Sequence, residues 1–476
     1  MTQPAAQCFW APQAWIKGQW HYGVCLEVDR SGHWCGVSSG IPSAPAHASV
    51  LNGPVLPGMV NAHSHAFQRA FAGLAERRVS DSDDFWSWRD RMYGVALRIT
   101  PEQLQAVAAQ LYVEMLQGGY TQVCEFHYLH HSESGAPYAD PATMAWAVAD
   151  AAADAGLGLT LLPVLYERAG FAQPALRHDQ RRFAGNPGFI ADLQKTVQAS
   201  GRALLNAGIS IHSLRAASPA SIQALLQAVG EQDLPIHLHI AEQMQEVRDC
   251  LAHTGRRPIA WLAQSVALDA RWQLVHATHA DASDIAAVAR SGAGIVICPS
   301  TEGNLGDGLA DLPAWLQQGV PLAIGSDSQV CRQWMEELRW LEYGQRLQLQ
   351  RRNVAARPGQ AEGASAARLF DAALQAGAQA AGQKHWGLQV GARADMLVLN
   401  AQANGLLGVP ASHVLDAAVF ACDSAPLRDV YVAGRCVLAQ GRHAQQDAIA
   451  QRFTRAMQSL WQPAPASQTP PGTAVG

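Results

Sequence analysis

Between about residue 55 and residue 330 the chain alternates short apolar runs with longer amphipathic segments rich in Ala, Leu and Gln. The runs are VLPGMVNA (55–62), TQVCEF (121–126), LGLTLLPVL (157–165), GISIHS (208–213), PIHLHIA (235–241), WQLVHAT (272–278), AGIVICPS (293–300) and PLAIGSD (321–327). Unbroken apolar runs of this length read as strands buried on both faces, and the segments between them read as helices. Eight such strands alternating with helices predict a parallel α/β architecture. Eight is also the number that closes a (β/α)8 TIM-like barrel, here expected to be distorted. A doubly wound open sheet is the alternative, but no GxGxxG loop follows the first run.

The ends of the chain differ from its middle and resemble each other. The first fifty residues are rich in Gly, Trp, Ser and Pro, with β-like runs such as YGVCLEV (22–28). The same texture returns in GLQVGARADMLVL (387–399) and RDVYVAGRCVL (428–438). The expected organisation is a small β-sandwich domain assembled from residues 1–54 and 387–450, with the barrel, residues 55–386, inserted between them. The Pro/Ser/Gly/Thr-rich stretch 463–476 is expected to be a disordered tail.

Composition narrows the function classes. The 476 residues are 49% hydrophobic and 15% charged, enough apolar material for a large core without disulfide or metal staples. With a net charge of −5 and no basic run, no nucleic-acid partner is expected. No apolar stretch reaches the ~18 residues needed to span a bilayer, so no membrane partner is expected either. The start, MTQPAAQCFW, has no basic segment leading into an apolar one, which predicts a cytoplasmic protein. Nine scattered cysteines with no CxxC pair fit reduced thiols and exclude a cysteine-based zinc site.

The chemistry lies where strands end, because the loops there form the concave face of a parallel barrel. The first run ends in His63-Ser64-His65, whose imidazoles project to one side at strand spacing. The fifth carries His237 and His239 and then Glu242; the sixth ends at His276, followed by His279; the eighth ends in Gly325-Ser326-Asp327-Ser328. A single histidine at a strand end is ordinarily a hydrogen-bonded loop residue, and a single aspartate a helix cap. Their convergence at one end of one barrel is what points to a metal, and neutral imidazoles with a carboxylate suit zinc, with iron or manganese also possible. Two-metal barrels need a bridging acid, usually a carboxylated lysine. The only lysines are Lys17, Lys195 and Lys384, none near a strand end, so one metal is expected.

Three histidines and Asp327 leave an open position for water, whose pKa the metal lowers towards neutrality. Asp327 can accept the proton of that water as hydroxide attacks, Glu242 can protonate a leaving nitrogen, and His276 can polarise the nucleophile or stabilise developing charge. This is metal-assisted hydrolysis of a carbon–nitrogen bond, most simply a deamination.

The motifs PGMVNAHSH, HLHIAE, LVHATH and IGSDS resemble the mononuclear deaminase branch of the amidohydrolase superfamily. GARADMLVL and VYVAGR resemble the small β-sandwich of those enzymes, so that the likeness spans about residues 50–440. A narrower likeness lies within it. HSHAFQRAFAGLAE (63–76), WSWRDRMY (86–93), EFHYLHH (125–131), HSLRA (212–216) and HIAEQ (239–243) are similar to the N-formimino-L-glutamate deiminase family. Its members belong to histidine degradation and turn formiminoglutamate and water into N-formylglutamate and ammonia. The resemblance implies one zinc ion on His63, His65, His239 and Asp327, with Glu242 and His276 as acid/base and nucleophile-orienting residues. It also implies substrate contacts from Gln68, Arg89, Tyr128, His212 and Arg215, and a homodimer.

Such a substrate is a small dianion, and two carboxylates want arginine forks. Arg215 directly follows the fourth strand, and Arg89 lies among Trp86, Trp88 and Tyr93. The alternatives are formimino-aspartate, one methylene shorter, or a nucleobase, which would leave the two arginines little to bind. A non-catalytic scaffold would not need the ligands and the acid/base pair together. His237 and His279 are expected to be structural, His130 and His131 to face the surface, and Cys124 and Cys298 to lie in the core. Trp334 and Trp340 flank a helical segment expected in the core or at a subunit contact.

Overall fold

A computed structural model describes residues 6–76, 85–359 and 363–462. The eight barrel strands are β1 (Met59–Ser64), β2 (Tyr120–His127), β3 (Gly158–Leu165), β4 (Ile209–Ser213), β5 (Ile236–Ile240), β6 (Trp272–His276), β7 (Gly294–Ile297) and β8 (Leu322–Ile324). They pair in parallel in chain order, and a bridge between Ser64 and Asp327 brings β8 back to β1. The barrel is distorted as expected: the register slips twice between β1 and β2 and once between β4 and β5. Leu161, Ile211, Leu238, Leu274 and Ile324 are fully buried in the main apolar core, whereas Gln122, Thr160, His237 and Gln273 of the barrel strands are buried polar residues.

Closure depends on a residue without a side chain. A Cβ on Gly325 would stand 2.7 Å from the Cβ of His63 and 2.9 Å from its carbonyl oxygen. Beyond it, the Asp327 amide donates to the His63 carbonyl at 3.0 Å, and the His65 amide donates to the Asp327 carbonyl at 3.3 Å.

The helices between strands start where local chemistry satisfies their free amides. Thr100 caps Pro101–Gln117 with a reciprocal bond to Gln103, while Asn186 and Ser218 precede prolines that open Pro187–Ala199 and Pro219–Val229.

The chain ends form one nine-stranded sheet. Gln7–Ile16 and Gln19–Val28 pair antiparallel, and Val55–Pro57 bridges Gln7–Ile16 to Met396–Leu399 and the C-terminal strands. Phe9, Val24, Trp34, Leu388, Met396 and Val398 belong to a core of its own. The run read as one barrel strand over 55–62 is thus two strands: residues 55–57 belong to the terminal sheet and the barrel begins at Met59. The chain crosses at Gly58, where a Cβ would lie 2.2 Å from Thr121 Oγ1. Arg393 ties the two units together, donating to Asp395, to Gln122 Oε1 and to the Thr121 carbonyl.

The C-terminal part runs past residue 450 into a helix, Gln446–Trp461, which packs on Pro101–Gln117 and reaches the Ala70 carbonyl through Trp461 Nε1 at 3.0 Å. Residues 463–476 lie outside the described residues. On the helix Trp334–Leu349, Trp334 is buried against Phe370, whereas Trp340 is half exposed.

The same helix buries Glu337, whose carboxyl takes the Ser300 hydroxyl at 2.6 Å and the Ser300 amide at 3.0 Å. Burial outweighs these bonds and pushes its pKa up to about 8. The folded state therefore holds a proton that the unfolded chain releases near the ordinary value of 4.5. The contribution to stability is full below that value and is lost as pH rises towards 8. Glu337→Gln is expected to flatten the decline of Tm between pH 5 and pH 8, read by thermal denaturation across that range; an unchanged slope would mean that Glu337 is ionised in the folded protein.

Candidate active site

Three imidazoles and a carboxylate converge above the C-terminal ends of β1, β5 and β8. His63 Nε2 lies 3.2 Å from His65 Nε2 and 2.9 Å from His239 Nε2, and Asp327 Oδ1 lies 3.5 and 3.3 Å from the nitrogens of His63 and His65. His65 and His239 turn their Nδ1 atoms to the carbonyls of Phe126 and His212, at 3.0 and 2.9 Å. Those carbonyls can only accept, so both Nδ1 atoms carry hydrogen and both Nε2 atoms present lone pairs. Burial lowers all three histidines, His63 to about 3, and keeps them neutral. For Asp327 burial works the other way, but the His63 hydrogen bond and the neighbouring imidazoles hold its carboxyl well below the usual range. Inward-facing lone pairs beside a buried carboxylate repel one another, and a divalent cation is the group this donor set fits. His63, His65, His239 and Asp327 could hold it, each offering one atom, all within 4.8 Å of one another. The Phe126 ring backs the cluster, 4.4 Å from His239 and 5.1 Å from His63 between centroids.

Glu242 and His276 stand beside this cluster. His276 Nε2 is 3.7 Å from Glu242 Oε1 and 3.7 Å from Asp327 Oδ2. Burial raises the Glu242 carboxyl to about 7 despite His276 and Arg215 nearby. Burial alone would lower His276, but Glu242, Glu302 and Asp327 outweigh it and raise it. His276, Ala277, Asp327 and Ala241 all have left-handed φ, between 46° and 70°, so the strand ends are bent where these side chains leave them.

Next to the carboxylates is a cavity lined by the predicted substrate residues. Gln68, on the turn Ala66–Ala70, donates to Tyr128 Oη at 3.2 Å, just past β2. His212, on β4, meets the Tyr166 ring edge-on, with centroids 4.3 Å apart. Arg215 is 9% exposed, and its Nη1 lies 3.6 Å from Glu246 Oε2. Arg89, on the helix Phe85–Ala96, holds its guanidinium 5.7 Å from the Tyr93 ring centroid and lines the same cavity, with Trp88. The side chain of Trp86 lies outside the described residues. All eleven predicted site residues are brought to this one region.

The remaining histidines are elsewhere. His237 Nε2 bonds to the Ala380 carbonyl at 2.8 Å and does not join the cluster. His130 and His131 are not surface residues as expected: His130 is buried, and both bond to backbone carbonyls, of Val164 and Ala184. Cys124 and Cys298 are buried.

Four residues of the site have no counterpart in the sequence reading: Tyr166, Glu246, Glu302 and Asp307. Tyr166 lines the cavity, and Glu246 takes the amides of Ala241 and Glu242 at 3.3 Å each. Glu302 bonds to His276 Nδ1, and Asp307 accepts from Gln243. Glu246 follows Glu242 by one helical turn, and Glu302 follows Pro299 at the end of a strand; acids so placed were the available signal.

The sequence profile described as the Amidohydrolase family matches residues 55–437. The chain belongs to that family. As an amidohydrolase it is an enzyme, a hydrolase of carbon–nitrogen bonds. It is similar to the formimidoylglutamate deiminase of Pseudomonas aeruginosa, with 48% identity over 94% of this chain and 98% of that protein. It is more distantly similar to a 5-methylthioadenosine/S-adenosylhomocysteine deaminase of Desulfovibrio desulfuricans, with 27% identity over 84% of this chain and 83% of that one. Among solved structures, an amidohydrolase from Brucella melitensis superposes with a TM-score of 0.90 at 40% identity, covering 95% of this chain and 99% of that one. A zinc-bound adenosine deaminase from Xanthomonas campestris shares the fold, with a TM-score of 0.78 at 22% identity, over 97% and 99% of the two chains. No helix of the described residues of this amidohydrolase is long and apolar enough to cross a membrane.

Removing a bound cation would leave the buried lone pairs facing one another. Dialysis against a chelator is expected to lower Tm by several degrees, and zinc to restore it. His239→Asn is expected to abolish the restoration. A Tm indifferent to chelator would mean that the cluster is stable without an ion.

Proposed function

We propose that this amidohydrolase hydrolyses N-formimino-L-glutamate to N-formyl-L-glutamate and ammonia, as a step of histidine degradation. The observation that carries this reading is the sharing of one cavity by two arginines, Arg89 and Arg215, with Glu242, His276 and Asp327. A dianion with a reactive formimino end fits that distribution of charge. The similarity to the Pseudomonas deiminase supports the same substrate.

One zinc ion, held by His63, His65, His239 and Asp327, supplies an acidified water when bound. Arg89 and Arg215 take the two carboxylates and so orient the formimino carbon towards Asp327. Gln68, Tyr128 and His212 line the path between them. Asp327, kept ionised, accepts the proton of the attacking water. Glu242, kept protonated near neutrality by burial, delivers its proton to the leaving nitrogen. His276, reaching both carboxylates, stabilises the charge that passes between them. Ammonia leaves, and the carbon that held it becomes the formyl group.

The nine free cysteines fit a reducing cytoplasm. The helix Trp334–Leu349 presents Trp340, Tyr343 and Leu347 to solvent at helical spacing, which supports a homodimer with that face at the contact.

Ammonia release from N-formimino-L-glutamate tests the substrate, with formimino-aspartate, guanine and cytosine in parallel. Arg215→Ala is expected to lower kcat/KM for formiminoglutamate by roughly 10²-fold or more, the worth of a charge-assisted bidentate contact. Activity confined to a base would remove the dianion reading and leave the deaminase.

The acid form of Glu242 is the one that donates, so activity is expected to fall as pH rises through about 7. A kcat/KM profile from pH 5 to pH 9 checks this, and Glu242→Gln should both cut the rate and erase that limb.

A further inference from the structure

Glu302 has no part in the steps above, yet its carboxylate is buried in the wall of the same site, 3% exposed. It lies on the short helix Pro299–Leu305, which follows β7 after one residue, Cys298. Its Oε1 receives the Cys298 amide at 2.9 Å and meets Nδ1 of His276 at 3.1 Å. The amide has only a hydrogen to offer, so this oxygen is an acceptor. His276 Nδ1 must then be the protonated nitrogen, and the ring can present only Nε2 to the reacting groups.

The orientation matters because of what Nε2 faces. It stands 3.7 Å from Glu242 and 3.7 Å from Asp327, level between the two carboxylates. The backbone does not secure that position through a regular ladder, since His276 and Ala277 leave β6 with φ of 70° and 49°. On one face the ring lies nearly parallel to His239, with centroids 5.5 Å apart and planes 14° apart. A 180° flip about Cβ–Cγ would keep that contact while exchanging the ring nitrogens for carbons. The Glu302 bond selects one of the two orientations.

We propose that Glu302 is a positioning residue that holds the Nδ1–H of His276 and fixes the orientation of its ring, keeping Nε2 between the donor and acceptor of the proton. The proposal rests on the deaminase reading for its consequence in catalysis, and on geometry alone for the orientation of the ring. Cys298, buried at the end of β7, takes part through its amide.

Two variants of the zinc-loaded full-length protein separate position from bulk. Glu302→Gln keeps an oxygen towards Cys298, because its amide nitrogen would set donor against donor there. Glu302→Leu keeps volume and loses the acceptor. Glu302→Gln is expected to hold kcat within about tenfold of the parent, and Glu302→Leu to lower it by 10²-fold or more, the cost of a misplaced catalytic group. KM should stay within about threefold in both, with zinc content unchanged.

The second readout needs no substrate. In ¹⁵N-histidine-labelled protein, a slowly exchanging Nδ1–H signal, assigned by its loss in His276→Asn, should persist with Glu302→Gln and vanish with Glu302→Leu. A parent-like kcat in Glu302→Leu, or an equal loss in both variants, overturns the proposal. So does a parent protein whose His276 carries its hydrogen on Nε2 alone, a result that stands even if Glu302→Leu fails to fold. If the parent releases no ammonia from formiminoglutamate but the Nδ1–H signal follows Glu302 as stated, the substrate reading fails and the positioning proposal holds.

Discussion

Two backbone hydrogen bonds between Asp327 and the His63–His65 segment hold the first and last barrel strands together, and the site exists because they do. They join residues more than 260 positions apart in the chain, and the same residues carry the side chains that converge. Around them Asn61 Oδ1 accepts the Ser326 amide and Asn61 Nδ2 donates to the Ser326 hydroxyl, while Gln329 donates to the Ser64 hydroxyl. These polar groups are buried, and each finds its partner across the seam. Gly325 lets the strands approach closely enough for those bonds to form. Backbone closure and ligand geometry are therefore one constraint.

The electrostatics follow from that closeness. Burial strips water from the imidazoles of His63, His65 and His239 and from the carboxyl groups of Asp327, Glu242 and Glu246. Desolvation and mutual repulsion then push the groups apart in pKa. The histidines stay neutral, Asp327 stays ionised, and Glu242 is raised towards neutrality. One acid and one base in the same pocket result from unequal surroundings, since Asp327 has imidazole neighbours and Glu242 has chiefly its burial. Arg215 is treated similarly. Its backbone is clamped by Arg168, which donates to the carbonyls of Leu214, Arg215 and Ala217, and its guanidinium is held near Glu246. The cation is thus aimed into the cavity before any anion enters.

Much of this was legible in the sequence, for a reason that can be stated. Strands buried on both faces must be continuously apolar, so a polar residue at the end of such a run breaks a strong pattern and is conspicuous. His63, His65, His239, His276 and Asp327 all stand out in this way. The residues that escaped notice lie in polar or helical surroundings, where one more acid attracts no attention. Glu246 and Glu302 are of this kind, and their partners, Arg215 and His276, are distant in the chain. The misreading of residues 55–62 has a related cause. Two consecutive strands with a glycine between them have the same apolar texture as one, and the change of sheet at Gly58 is set by Thr121 and Asp395, which pattern alone does not bring near.

By itself, then, the sequence determined the number and kind of strands, the type of each polar residue that gathers at the site, and the end of the barrel at which they meet. Those properties follow from local periodicity and from the fixed direction of βα loops. The tertiary structure alone decided which nitrogen of each histidine faces inward, which carboxyl keeps its proton, and which buried acids steady Arg215 and His276. Tautomer, pKa and side-chain aim depend on atoms contributed from several strands at once, and their distances come into being only when the barrel closes.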